Sequence, residues 1–144
     1  AKLSDEQLQM TAPGTYGTIG ATLLHLFAAE QRYLGRLAGT KPELSERDPA
    51  PIMAILREHA VRSGDSLIEA ATRTTSDETI DEERDGGRSR IHLGVVLLQA
   101  MHHGNDHRAH VCTILGSNGI EYGDIDVWAY GEATGALVSI PANA

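Results

Sequence analysis

Three long segments of this chain carry apolar residues at helical spacing, and this pattern limits the fold more than any other feature. The first runs from about Thr18 to Leu37, after the loop Ala12-Pro13-Gly14-Thr15-Tyr16-Gly17, with Gly39 as its stop signal. The second runs from about Pro51 to Thr72. Asp48 offers it a cap, Pro51 suits its first turn, and Ile52, Ile55, Leu56, Ala60 and Leu67 recur at helical intervals. The third spans about Leu93 to Leu115 and is stopped by Gly116 and the turn Ser117-Asn118-Gly119. A short helix from Asp126 to Thr134 would lay Val127, Trp128 and Tyr130 over one end of the core. Between the second and third long helices the chain turns acidic and then basic. Asp85-Gly86 is a tight-turn signal there, so a loop or small hairpin is expected, with Ile80 and Ile91 on flanking strands.

These elements lead to an all-α, up-and-down helical bundle as the expected fold class, in a single domain over residues 1–144. Three long helices leave one side of a four-helix bundle open, and the short Ser4–Met10 segment cannot match its long neighbours, so the first bundle helix is short or missing. The missing wall would be a truncated N-terminal helix, the short C-terminal helix or a second subunit. An open bundle exposes an apolar face that needs cover, so a homodimer is expected.

Charge and cysteine content exclude several functions. Twenty acidic residues against twelve basic give a formal charge of -8, without the clustered Lys and Arg that a duplex-binding surface needs, so nucleic acid is not an expected partner. Apolar runs are interrupted well short of a membrane span. The single cysteine, Cys112, rules out an internal disulfide and a multi-cysteine zinc site; beside an apolar stripe, it reads as a packing residue rather than a nucleophile. With no secretory leader recognised, the cytoplasm is the expected compartment. Gly14, Gly17 and Gly20 do not make a dinucleotide fingerprint, because no strand precedes them and the spacing is wrong.

Four of the seven histidines fall in Met101-His102-His103-Gly104-Asn105-Asp106-His107-Arg108-Ala109-His110. At about 100° per residue, Leu93, Val96, Leu97, Ala100, Val111, Ile114 and Leu115 share one stripe of the third long helix. His107 falls within it and His103 at its edge, about 40° apart and one turn apart. His102 points away, and Asp106 and His110 sit on the shoulder beside His103. Two imidazoles at i and i+4 can share one metal ion. A third ligand must come from another helix, since His110 lies ~10 Å along the axis from His103. His25, in an apolar surrounding, and His59, on its own helix's apolar stripe, are the candidates, and periodicity slightly favours His59. Glu30 lies on the stripe of Leu23, Leu26, Leu34 and Leu37. It needs a cation, a donor or a proton, as an acceptor for a ligand histidine, as a general base, or in an ion pair with an arginine such as Arg108.

Two segments together, Thr22-Leu23-Leu24-His25-Leu26-Phe27-Ala28-Ala29-Glu30 and His103-Gly104-Asn105-Asp106-His107-Arg108-Ala109-His110, resemble the DinB-like superfamily over roughly residues 5 to 132. The closing stretch Gly119–Tyr130 is similar to tails of bacterial members. That family comprises metal-binding four-helix bundles and includes transferases that use mycothiol or bacillithiol. The resemblance implies His25, His103 and His107 as a facial ligand triad for a divalent metal, zinc or nickel, with coordination positions left for water or substrate. It also implies a low-molecular-weight thiol co-substrate and a small-molecule acceptor. Ala109 and His110 stand where the family usually has Gly-Gln, which changes what lines the pocket. The expected function is a metal-dependent thiol transferase or hydrolase, with a non-catalytic metal-binding or stress-response protein as the alternative.

Overall fold

The computed structural model describes residues 3–47, 53–75, 77–84 and 86–140. Its elements in chain order are α1 (Asp5–Leu8), α2 (Ile19–Ala38), α3 (Met53–Arg73), β1 (Thr79–Arg84), β2 (Gly87–His92), α4 (Leu93–Ser117) and α5 (Val127–Thr134). The expectation of an all-α bundle is therefore corrected. The chain is mostly helical, but it has five helices and a two-stranded antiparallel sheet among the described residues. The hairpin forms because Thr79–Arg84 and Gly87–His92 pair in full register, with Ile80 opposite Ile91 and Asp81 opposite Arg90. Gly86 takes a φ of 79°, which a side chain would resist. The cross-strand ion pair from Arg90 Nε to Asp81 Oδ1, at 2.7 Å, holds the acidic and basic runs together.

α2 is the central element, packing on α4 along one side and on α3 along the other. Thr18 caps it by accepting the Ala21 amide, and Gly39 closes it in the left-handed conformation at φ 69°. A helix flanked on two sides buries more than one stripe. Ile19, Leu26 and Leu34 are buried as expected, but so are Thr22, Leu24, Ala28 and Gln31, while Leu23 and Leu37 are only half-buried. α4 keeps a single stripe: Leu93, Val96, Ala100, Gly104, His107, Ile114 and Leu115 are its buried residues. It starts directly after β2, where the Leu93 amide donates to the Glu78 carbonyl at 2.9 Å.

One apolar cluster joins the start of α2 to the end of α4. Ile19, Ile114 and Leu115 form its centre, and Leu3, Leu8, Met10 and Ile120 pack around it. The short N-terminal segment thus covers this end and leaves the flank between α2 and α3 as an open groove of about 1320 Å³, lined by Leu23, Phe27, Met53 and Val61 among others. α5 does not fill it. Its one buried residue is Gly131, and Trp128 is 71% exposed with Val127 and Tyr130 also outside, so the expectation that these three cover the core is corrected. The cause is local: α5 is held by its Asp126 cap and by the Leu137 amide folding back to the Gly131 carbonyl. The proposed cap Asp48 and the first-turn residues Pro51 and Ile52 of α3 lie outside the described residues, as does Asp85 of the hairpin turn. Among the described residues no helix is long and apolar enough to cross a membrane.

Candidate metal centre

α2 and α4 carry their histidines to one point. His25, half-buried on α2, puts its Nε2 3.1 Å from the Nε2 of His103. The ring of His107 lies 4.7 Å from that of His25 and 4.4 Å from that of His103, centre to centre. Each of the three offers one nitrogen within 4.8 Å of the others, a grouping that could hold a metal ion. The local reason is the i, i+4 spacing on α4. His107 falls inside the buried stripe and His103 on its margin, so both project from consecutive turns towards α2.

Their electrostatics suit ligands. Burial lowers the His107 pKa to about 4, helped by the neighbouring His103, His25 and His110. Burial also lowers that of His103, with the charges of His25 and Arg32 adding to the effect. Both rings are therefore neutral at neutral pH, with lone pairs available. The Nδ1 of His103 is buried and has no hydrogen-bond partner, and its Nε2 faces only His25. Two imidazole nitrogens that face each other need a proton or a cation between them, and a cation on that side would leave Nδ1 of His103 still unpaired. The donor set, three neutral imidazoles and no thiolate, suits a borderline divalent ion with positions left open.

Two loops complete the surroundings. Tyr16 stacks on His25, with ring centres 4.2 Å apart, and meets the His107 ring edge-on at 5.1 Å. Glu46, in the loop between α2 and α3, places Oε2 2.7 Å from His25 Nδ1. The same carboxylate accepts the Tyr16 hydroxyl at 3.2 Å and an Arg32 N–H at 3.0 Å. Burial works against the ionised form of Glu46, but the hydrogen bonds from His25, Arg32 and Tyr16 outweigh it and its pKa is lowered. Tyr33 from α2 closes the other side, edge-on to His103 at 5.8 Å.

The other residues singled out in the sequence lie outside the three-histidine grouping. His59 is buried on α3, but its Nδ1 accepts from the Gln31 amide and from Arg62, each at 2.9 Å, and it takes no part in the three-histidine grouping. His110 touches His107, Nδ1 to Nδ1 at 3.4 Å. Asp106 is exposed and pairs with His102 at 3.0 Å. Glu30 is buried and makes no hydrogen bond to the three histidines. Desolvation raises its pKa to about 7 against the opposing charge of Arg108. Burial likewise raises the pKa of Cys112, so that thiol stays protonated, as befits a packing residue. Sequence reasoning missed Tyr16 and Glu46, because loop residues have no periodicity to mark the direction they face.

The fold and site together define a mostly helical protein with a three-histidine cluster between two of its long helices. The DinB family model matches residues 1–141, and the chain belongs to the DinB family. No curated protein and no solved structure matched the sequence.

Proposed function

We propose that His25, His103 and His107 hold one divalent metal ion, zinc or nickel, and that the protein uses it to transfer a low-molecular-weight thiol to an electrophilic small molecule. The observation that carries this reading is the convergence of three imidazoles, with Nε2 of His25 and Nε2 of His103 turned towards each other. A divalent ion with open positions lowers the pKa of a thiol or water that binds it. The chain's own residues supply the rest. Burial keeps His103 and His107 neutral and able to donate lone pairs, the Tyr16 ring shields one side of His25, and Tyr33 limits access beside His103. Membership of a family that is often metal-binding supports the coarser part of the reading.

A non-catalytic metal-binding role is the second reading, and one observation favours it: the buried carboxylate considered as a base, Glu30, makes no hydrogen bond to the three histidines. Two measurements separate the readings. Elemental analysis of protein purified without a histidine tag is expected to give about one ion per chain, lost in His103→Ala. The loaded protein, incubated with bacterial thiols and a chlorinated aromatic acceptor, is expected to release a thioether conjugate and chloride. Full metal occupancy with no conjugate from any thiol would leave the binding role. A protein that takes up no divalent metal would remove both readings.

A further inference from the structure

The three histidines account for one side of the cluster, while the loop between α2 and α3 brings a carboxylate to the other. We propose that Glu46 is a positioning residue for the metal centre, one that orients His25 and so sets metal affinity without touching the ion. The inference rests on the three-histidine reading and adds to it a residue from outside the helices.

The two nitrogens of an imidazole point away from each other. At His25, Nδ1 meets Glu46 Oε2 at 2.7 Å and Nε2 faces His103 Nε2 at 3.1 Å. A carboxylate can only accept at that contact, so Nδ1 carries a proton and, in the neutral ring, the Nε2 lone pair is turned towards the cluster. Glu46 meets the nitrogen of His25 that points away from His103 and is not among the groups whose ligand atoms converge. The same bond makes the ring a stronger donor to a cation, because the carboxylate offsets the charge that develops on the imidazole.

Glu46 is itself held from two directions. Arg32 and the Tyr16 hydroxyl occupy its two oxygens. Upstream, Gln31 Oε1 accepts the backbone amides of Glu43 and Leu44 at 2.7 and 2.9 Å, and Arg62 grips the Glu43 carboxylate with two bonds. The buried His59 in turn accepts from both Gln31 and Arg62. The histidine that stays out of the metal cluster thus anchors the loop that delivers Glu46 to it. Holding a ligand through such a chain is what keeps a site within the narrow geometry that a metal needs.

The test is a zinc titration in competition with a chromophoric chelator, run on the full chain as wild type, E46A, E46Q and H103A. E46A is expected to bind zinc about 10- to 100-fold more weakly at unchanged stoichiometry. E46Q, which keeps an acceptor oxygen, should fall between it and wild type. Long-range proton–nitrogen NMR should show the His25 proton confined to Nδ1 in wild type and distributed over both nitrogens in E46A. Zinc affinity and His25 tautomer both unchanged in E46A, with H103A defective, would overturn the role of Glu46 and leave the three-histidine reading standing. A wild type that takes up neither zinc nor, in a parallel titration, nickel would overturn both.

Discussion

Two buried histidine sites flank α2, and they solve the same physical problem in opposite ways. On the α3 side, His59 is 7% exposed and its Nδ1 is supplied by Gln31 and Arg62, whose other groups are bonded to the loop at Glu43 and Leu44. On the α4 side, His103 has one nitrogen with no partner and another facing only a second histidine. A buried polar group is tolerable when its bonds are made within the protein. The His59 network satisfies that condition at Nδ1 with side chains alone. At the α4 site the Nε2 atoms of His25 and His103 face each other, and a bound cation would serve that inner face, while Nδ1 of His103 points away from it and stays unpaired. Burial by itself is therefore a poor sign of a ligand; what distinguishes the two sites is whether a ring nitrogen meets protein donors, as at His59, or another imidazole, as at His103.

Substituting one histidine at each site is the strongest way to break this comparison. His103→Leu keeps volume and removes the unpartnered nitrogen. Metal content should fall to under about a tenth of an ion per chain, since two ligands rarely suffice, while the metal-free protein should be as stable as wild type or more so, by about 1 kcal/mol at most. His59→Leu should do the reverse. It leaves the Gln31 amide and Arg62 without their acceptor and should cost about 2 kcal/mol in urea unfolding, with metal stoichiometry retained. Equal loss of metal in the two variants would erase the distinction.

Glu30 sharpens the comparison, as a buried group that neither network absorbs. Its folded-state pKa of about 7 lies above its ordinary value of 4.5. The folded protein therefore binds the proton more tightly than the unfolded chain does, and stability falls as pH rises from about 4.5 to 7, levelling off above. Glu30→Gln removes this dependence. At pH 8 the variant should be more stable than wild type by up to about 3 kcal/mol, since each tenfold difference in proton affinity between the two states is worth about 1.4 kcal/mol. The gain should fade as pH approaches 4.5. A difference that does not change with pH would mean that Glu30 is ionised in the folded protein and paired with Arg108.

The helices and the pair on α4 were legible in the sequence because both depend on the helical period. His107 on the stripe and His103 at its edge follow from counting residues at about 100° each. The third ligand candidate was not separable that way. α2 is packed on two sides, so its buried positions spread around the circumference and a stripe drawn through Leu23 and Leu37 misjudged which faces matter. Periodicity therefore leaned to His59, which is indeed buried, but in a different network. The hairpin's turn was visible at Asp85-Gly86, whereas the pairing that makes the fold mixed rather than all-α depends on the acidic and basic runs meeting across strands. Glu46 and Tyr16 were invisible for a plainer reason. Each reaches the site through loop conformation, which hydrogen bonds from distant residues fix and no local pattern announces.

The smallest effect is expected at Asp106, one turn from His102 and on the shoulder beside His103. A carboxylate this close in sequence to two ligand candidates invites assignment as a fourth. Its bond instead goes outwards to His102, both side chains more than half exposed at 74% and 54%. An exposed pair at this spacing contributes little, so Asp106→Ala should change stability by about 0.5 kcal/mol or less. The carboxylate charge favours protonation of His103 and His107, and its removal acts on them only through partly solvated space. Salt near physiological strength screens such an effect over about 8 Å, so zinc affinity should move by less than about twofold. Zinc titrations of D106A at low and at physiological salt would check this. A tenfold loss that persists at both would make Asp106 a ligand, and the centre would then be a mixed histidine–carboxylate site in which His102 competes for the fourth donor.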